Sequence, residues 1–232
     1  MGERIDIKAI DGSGSFGGYL ALPAGGTGPG IVVVQEIFGV NAGIRQMCDD
    51  WAAKGYVAFA PDLFWRIEPG IELTDKSEAE WKRAFELFGL FNVDKGIEDI
   101  EASLRAVRAR PECSGKVGVV GFCLGGLLAY LAAARTDSDA TVAYYGVGIQ
   151  DRLGESHAIA KPLMIHIARL DKFVPPEAQA QIHAGLAANA HVTLHDYDAD
   201  HAFARVGGTS RVESCAQEAD DRTAAFFGRH LA

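Results

Sequence analysis

The 232-residue chain has four cysteines, Cys48, Cys113, Cys123 and Cys215, and no two of them form a C-x-x-C pair. In a chain of this length such sparse usage excludes a disulfide scaffold or a zinc ribbon and reads as free thiols in a reducing compartment. No run of about 18 apolar residues is present, which excludes a spanning helix. The opening MGERIDIKAI has no apolar core followed by a cleavage site, and no Ser or Thr placed for N-myristoylation. A cytoplasmic location is therefore expected. Positive charge is also scarce: 22 Lys and Arg stand against 31 Asp and Glu, a net charge of −9. That balance argues against nucleic acid or an anionic membrane as partner. An anionic small substrate stays compatible, because a few local arginines dominate at close range.

No repeat, low-complexity block or linker divides the sequence. The flexible stretch 24–30, AGGTGPG, lies too near the N-terminus to separate two domains. One domain over 1–232 is expected. The hydrophobic fraction is 48%, ample for a large core, and a mean hydropathy of +0.05 fits a globular protein.

Apolar, β-rich runs alternate with helical stretches. Strands are predicted at 3–10, 17–22, 30–36, 56–60, 116–121, 140–145, 162–168 and 191–197, and helices at 41–54, 76–91, 94–110, 124–135, 176–189 and 209–230. Continuous runs such as Ile31-Val32-Val33-Val34 suit strands buried on both faces of a mainly parallel sheet. The first two strands alternate instead and flank Asp11-Gly12-Ser13-Gly14, the pattern of an antiparallel edge hairpin. The expected class is α/β, with helices on both faces of the sheet and right-handed crossovers. Segment 62–92 breaks the alternation with an aromatic-rich excursion, either a cover over a substrate site or a surface helix packing its aromatics inward.

Val119-Val120-Gly121-Phe122-Cys123-Leu124-Gly125-Gly126-Leu127 places a cysteine in a G-x-nucleophile-x-G pattern between a buried strand and an Ala-rich helix. A nucleophile at such a junction adopts strained backbone angles while neighbouring chains approach closely, so the flanking residues must be small. The helix N-terminus there favours a thiolate. An inert buried cysteine among small residues fits the motif alone equally well. The partners weigh against that reading. Asp171 follows the strand Leu163–Ala168, and His201 follows the strand 191–197, each at a carboxyl end. Nucleophile, acid and histidine thus fall in the order and on the sheet edge that a hydrolase site of this class needs.

Asp171 could instead cap the helix that begins near Pro175-Pro176, and Asp198 and Asp200 are rival acids, though they crowd His201 in sequence. His166, inside a buried strand, reads as a hydrogen-bonded core residue. His191 and His195 lie about 13 Å apart on a strand, too far to share a metal. Neither a metal nor a cofactor is expected.

The chain resembles the dienelactone hydrolases, or carboxymethylenebutenolidases, over nearly its whole length. The resemblance rests on VVQEIFGVN at 33–41, GYVAFAPDLF at 55–64, KVGVVGFCLGGLLAY at 116–130, AYYGVG at 143–148, LDKFVP at 170–175 and HAFAR at 201–205. It implies an α/β-hydrolase fold and a Cys-Asp-His triad on Cys123, Asp171 and His201. It also implies a role for Glu36 beside the resting thiol, helping to form the thiolate when substrate arrives. The oxyanion hole would be the backbone N–H groups of Ile37 and Leu124. Arg205 matches one of two arginines that hold a substrate carboxylate, and Tyr144, Phe38, Phe85 and Phe88 fall on pocket positions. The second arginine position falls on Trp81, flanked by Lys82 and Arg83, and an indole cannot replace a guanidinium fork.

The implied reaction is hydrolysis of an enol-lactone such as dienelactone to maleylacetate, in (chloro)catechol degradation. Trp81 makes a larger or less acidic lactone or ester the alternative, on a general carboxylesterase or thioesterase of the same scaffold. A non-catalytic binding or redox-sensing protein, with Cys123 oxidised rather than acylated, is a third and distant reading. The expected partner is a small lactone or ester, and monomer is the default oligomeric state.

Overall fold

The computed structural model describes residues 2–232. Eight strands form one sheet: β1 (Glu3–Lys8), β2 (Ser15–Ala21), β3 (Gly28–Val34), β4 (Val57–Pro61), β5 (Cys113–Phe122), β6 (Thr141–Tyr144), β7 (Leu163–Ala168) and β8 (Val192–Tyr197). Their spatial order is β1-β2-β4-β3-β5-β6-β7-β8. β1 pairs antiparallel with β2, and β2 antiparallel with β4, while every later pair is parallel. The hairpin at one edge and the parallel body are those expected from the two kinds of apolar pattern. Ile31 through Val34 are wholly buried, whereas β1 alternates between exposed and half-buried residues as an edge strand does.

Six α-helices flank the sheet: α1 (Ala42–Ala53), α2 (Glu78–Leu90), α3 (Val93–Arg108), α4 (Leu124–Arg135), α5 (Pro176–Leu186) and α6 (Glu213–His230). Trp51 of α1 packs edge-on against Phe227 of α6, with ring centres 5.5 Å apart, so these two helices share one face. α3 and α4 pack together on the other face. The starts of α1 and α3 follow from their caps: Asn41 accepts from the Ile44 N–H at 3.2 Å and Asn92 from the Lys95 N–H at 3.1 Å. A ten-residue 3₁₀ segment, Ile149–Ala158, carries no strong sequence pattern and was not expected.

The excursion after β4 divides into two parts. Residues 62–75 are stitched to the body: the Asp62 carboxylate accepts from the Phe64 and Gly70 N–H groups, and the Gln35 side chain accepts from the Leu63 N–H. Leu63 and Phe64 are core residues, and Trp65 stacks on Phe16. Only α2 brings its aromatics over the carboxyl edge of the sheet. At its start the Ser77 hydroxyl accepts from the Glu80 N–H, and the Glu80 carboxylate reaches back to the N–H and hydroxyl of Thr74. This capping arrangement fixes both the helix and the loop that carries Asp75.

The excursion is tied to α3 through one buried carboxylate. Asp99 accepts from Trp65 Nε1 at 2.8 Å, Arg66 Nε at 3.0 Å and Arg66 Nη2 at 2.8 Å. Removing it leaves an indole N–H and a guanidinium without their acceptor. Asp99→Ala is expected to lower unfolding free energy by about 2–3 kcal/mol, read as a lower urea midpoint with an unchanged slope.

Candidate active site

β5 ends at Phe122 and α4 begins at Leu124, leaving Cys123 alone to turn the chain, at φ 57° and ψ −113°. A left-handed φ is strained for a residue with a Cβ, and the surroundings enforce it. The Cys123 N–H donates to the Tyr144 carbonyl at 3.1 Å, and the Gly126 and Leu127 N–H groups return to the Cys123 carbonyl. Space is taken by backbone: a Cβ on Gly125 would stand 2.5 Å from the Val34 and Gln35 carbonyls, and one on Gly121 would overlap the Gly125 carbonyl. The glycines of the motif are therefore required by close approach. Three non-glycine residues have positive φ, Cys123, Tyr145 and Ala202, and all three lie at this edge of the sheet.

The ends of β7 and β8 carry the partners. His201 Nδ1 donates to Asp171 Oδ2 at 2.6 Å, and both residues are buried. The other Asp171 oxygen accepts from the Phe173 N–H at 2.8 Å, which fixes the carboxylate. Asp171 is not a helix cap, since the cap position of α5 is Pro175. Of the rival acids, Asp200 accepts from the His201 backbone N–H and Asp198 is exposed. Cys123 and His201 line one cleft, and with Nδ1 committed to Asp171 the ring presents Nε2 to the thiol. Burial opposes a charged imidazole, but the hydrogen bonds and charges of Asp171 and Cys123 outweigh it and raise the His201 pKa to about 10. The site thus holds an imidazole fixed by Asp171 beside a thiol at a helix N-terminus, in surroundings that favour the ring's protonated form.

The cleft is lined by Ile37, Trp81, Phe85, Phe88, Cys123, Val147, Phe173, His201 and Arg205. Phe85 and Phe88 are 47% and 41% exposed, forming an open apolar rim. The backbone N–H groups of Ile37 and Leu124 donate to no protein acceptor among the described residues, which leaves both available to a ligand oxygen. Phe173 and Val147 were not anticipated as lining residues. Phe173 stands two positions past Asp171, and its ring lies edge-on to His201 at 4.9 Å.

Four expected positions differ from the resemblance. Tyr144 faces away from the cleft: its hydroxyl lies 2.6 Å from Thr223 and donates to Asp220 at 3.0 Å. The next residue, Tyr145, at φ 37°, turns its ring against His201 instead, with centres 5.2 Å apart. Phe38 lies behind the cleft, edge-on to Trp81 at 5.0 Å and 4.9 Å beneath the Arg205 guanidinium.

Glu36 does not reach for the thiol. Arg205 Nε donates to its Oε2 at 2.6 Å and Nη2 to its Oε1 at 3.3 Å, so its polar partner is the arginine. Arg205 is correspondingly engaged rather than open, because Nη1 also donates to Asp75 Oδ2 at 2.8 Å. Burial disfavours the guanidinium charge, yet Glu36 and Asp75 more than offset it and the Arg205 pKa rises. Asp75 was missed because a lone aspartate in a loop carries no signal. Thr209 anchors it from the far side of the chain.

Trp81 is locked where the second arginine would stand, with Nε1 donating to the Asp75 carbonyl at 3.1 Å and its ring stacked on Phe85 at 5.6 Å. Arg83 pairs with Glu68 and Glu86 on the outside of α2, and Lys82 is exposed and does not line the cleft. Neither replaces the guanidinium. His166 is the core residue expected, 2.8 Å from the Tyr197 hydroxyl and 3.0 Å from that of Thr223. Burial holds its pKa well below the ordinary value. No group of three or more His, Cys, Asp or Glu able to hold a metal occurs among the described residues, and no described helix is long and apolar enough to cross a membrane.

Comparison with known proteins places this geometry in a family. The sequence model of the Dienelactone hydrolase family matches residues 16–231. The chain is 48% identical to the "Putative carboxymethylenebutenolidase" of Azospirillum brasilense, covering 98% of each chain. It is 39% identical to the "Carboxymethylenebutenolidase" of Pseudomonas putida, covering 97% of this chain and 95% of that one. A crystal structure of a "Putative Dienelactone Hydrolase" from Klebsiella pneumoniae superposes with a TM-score of 0.85 at 28% identity, covering 99% of both chains. This chain belongs to the dienelactone hydrolase family and has its α/β-hydrolase fold; it is a lactone or ester hydrolase.

The raised His201 pKa is also a statement about stability. A folded pKa of about 10, above the ordinary histidine value of about 6.5, gives a contribution fully present below pH 6.5 and lost as pH rises toward 10. Asp171→Asn keeps an acceptor for the Phe173 N–H but removes the charge. The stability difference between native protein and Asp171→Asn is expected to be largest below about pH 6.5 and to shrink toward pH 10, measured by urea unfolding across that range.

Proposed function

We propose that this protein hydrolyses its lactone or ester through a covalent thioester on Cys123. The observation that carries the proposal is the Asp171–His201 hydrogen bond at 2.6 Å beside a cysteine in a strained turn. The Cys123 proton passes to His201 Nε2, and the thiolate attacks the substrate carbonyl carbon. The Ile37 and Leu124 N–H groups receive the oxyanion, each worth roughly 3–4 kcal/mol of barrier in comparable sites. Collapse breaks the ring or ester C–O bond, and the departing oxygen takes the proton back from His201. Water, deprotonated by the same imidazole, then attacks the thioester through a second oxyanion and releases the acid and the thiol. Asp171 holds the imidazole in one tautomer and balances its positive form. Glu36 acts indirectly in this scheme, through Arg205.

The family resemblance supports an enol-lactone as substrate, such as dienelactone opened to maleylacetate in the breakdown of (chloro)catechols, by a cytoplasmic enzyme. A second reading is favoured by the cleft. Arg205, which lines it, is answered by two carboxylates, and an indole stands where a second guanidinium would. An uncharged lactone or ester with an apolar or aromatic substituent fits Trp81, Phe85 and Phe88 better than an anionic one, because a substrate carboxylate would have to compete with Glu36 and Asp75 for Arg205.

Two outcomes are expected. Cys123→Ala abolishes hydrolysis of every ester and lactone the native protein cleaves, a loss of at least about 10³-fold in kcat; retained turnover would remove the thioester mechanism. In kcat/KM comparisons, a neutral aryl ester is turned over faster than cis- or trans-dienelactone, and Trp81→Arg shifts the ratio toward the dienelactones by roughly tenfold, the effect of one added ion pair of about 1.4 kcal/mol. A native protein that prefers the dienelactones returns the substrate to the family's enol-lactone.

A further inference from the structure

The loop that carries Asp171 has little side-chain anchorage of its own. Between Ala168 and Val174, residues Arg169, Leu170, Lys172 and Phe173 are exposed, and only Asp171 turns inward. The place of its carboxylate is therefore set by how the loop's backbone groups are held. One buried amide gathers three of the carbonyls. Gln179, early in α5 and 9% exposed, donates from Nε2 to the Val174 carbonyl at 2.7 Å, the Ala168 carbonyl at 3.2 Å and the Arg169 carbonyl at 3.3 Å. Three carbonyls around one end of the side chain identify that end as the NH2 group, since an oxygen there would repel them all. Its acceptors flank Asp171 on both sides, so the amide draws the two ends of the loop together. Gln179 stands on a fixed support, because Ala178, Ile182 and Leu186 seat α5 in the core.

The same peptide groups continue to the histidine. The peptide between Ala168 and Arg169 accepts from Gln179 and donates its own N–H to the Tyr197 carbonyl at 2.9 Å. The next, between Arg169 and Leu170, accepts from Gln179 and donates to the Ala199 carbonyl at 3.0 Å. Tyr197 ends β8, and Ala199 stands two residues before His201. Two consecutive planar units thus span from α5 to the segment that carries the imidazole, and the hydrogen bond at one end of each peptide strengthens the one at the other. A methionine would fill the same space, so the packing of α5 gives no reason for an amide here.

We propose that Gln179 is a positioning residue, which holds the Asp171 loop between α5 and the His201 segment and so sets the Asp171–His201 hydrogen bond. The inference rests on the reading of Asp171 as the group that orients the catalytic imidazole. Gln179 does not line the cleft and acts only through the loop. Of the residues that line the cleft, only Phe173 belongs to this loop. Loss of the amide is therefore expected to appear in kcat more than in KM.

Gln179→Met in the full chain removes the donors and keeps the length and bulk of the side chain. With p-nitrophenyl acetate, kcat is expected to fall about ten- to a hundredfold, as for a catalytic group moved by a fraction of an ångström to one ångström, while KM stays close to native. The second reading is the downfield proton resonance of His201 Nδ1–H, assigned by its loss in His201→Gln. In Gln179→Met this resonance is expected to move upfield or vanish into solvent exchange as the bond to Asp171 lengthens. Gln179→Asn, whose amide is one methylene too short to reach the same carbonyls, is expected to move both readings in the same direction, and it decides the matter if Gln179→Met does not fold. A folded variant that melts earlier but keeps the native kcat and the native resonance overturns the proposal, since Gln179 then serves stability alone. With His201→Gln inactive and Gln179→Met native in both readings, this inference alone fails. If His201→Gln keeps native activity, the reading of Asp171 and His201 as catalytic partners fails first.

Discussion

The site depends on a steric constraint: three backbones meet around Cys123 with no room for side chains. Gly125 sits on the carbonyls of β3, Gly121 on the carbonyl of Gly125, and Gly126 against the turn after β6. That contact brings the N-terminus of α4 onto the ends of β3 and β6 and forces the left-handed φ at Cys123. It also sets the distance between the Leu124 and Ile37 N–H groups, since one begins α4 and the other follows β3. The sheet register does the rest. Parallel pairing of β5, β6, β7 and β8 puts Cys123, Tyr145, Asp171 and His201 on loops at a common edge.

The second determinant is electrostatic. Arg205, Glu36 and Asp75 form a buried cluster with one positive and two negative groups, each at most 9% exposed. Such a cluster is stable only because every member is hydrogen-bonded. It takes Glu36 away from the thiol and reduces the pull of Arg205 on an incoming anion. Trp81 belongs to the same assembly through the Asp75 carbonyl and the Phe38 ring. Trp81 on α2 thus shares the whole cluster, and with Phe85 and Phe88 it gives the cleft its apolar rim.

Most of the fold was legible. Eight strands and six helices lie where the apolar runs and alternating segments predict, because burial on one face or two leaves different periodicities. The 3₁₀ segment Ile149–Ala158 left no such trace: it packs through few residues and has no repeating face. Segment 62–92 was legible only as an exception. Whether Phe64 or Phe88 faced the core could not be read, since both are aromatic residues in a long connection. The stitching of Asp62 and Gln35 to loop N–H groups decided it.

The sequence by itself singled out Cys123, Asp171 and His201 as candidates and gave their order, because a strained strand-to-helix turn demands small neighbours and the strand ends must follow in chain order. It also exposed Trp81 as a departure. Tertiary structure alone decided which groups face one another. Tyr145, one residue past the end of β6, and not Tyr144 packs on His201, since consecutive residues along a strand point to opposite faces. Glu36 pairs with Arg205, 169 residues away, and Asp75 joins them from a third segment. No local pattern encodes such a contact, since it arises only when the fold brings distant loops to the same edge.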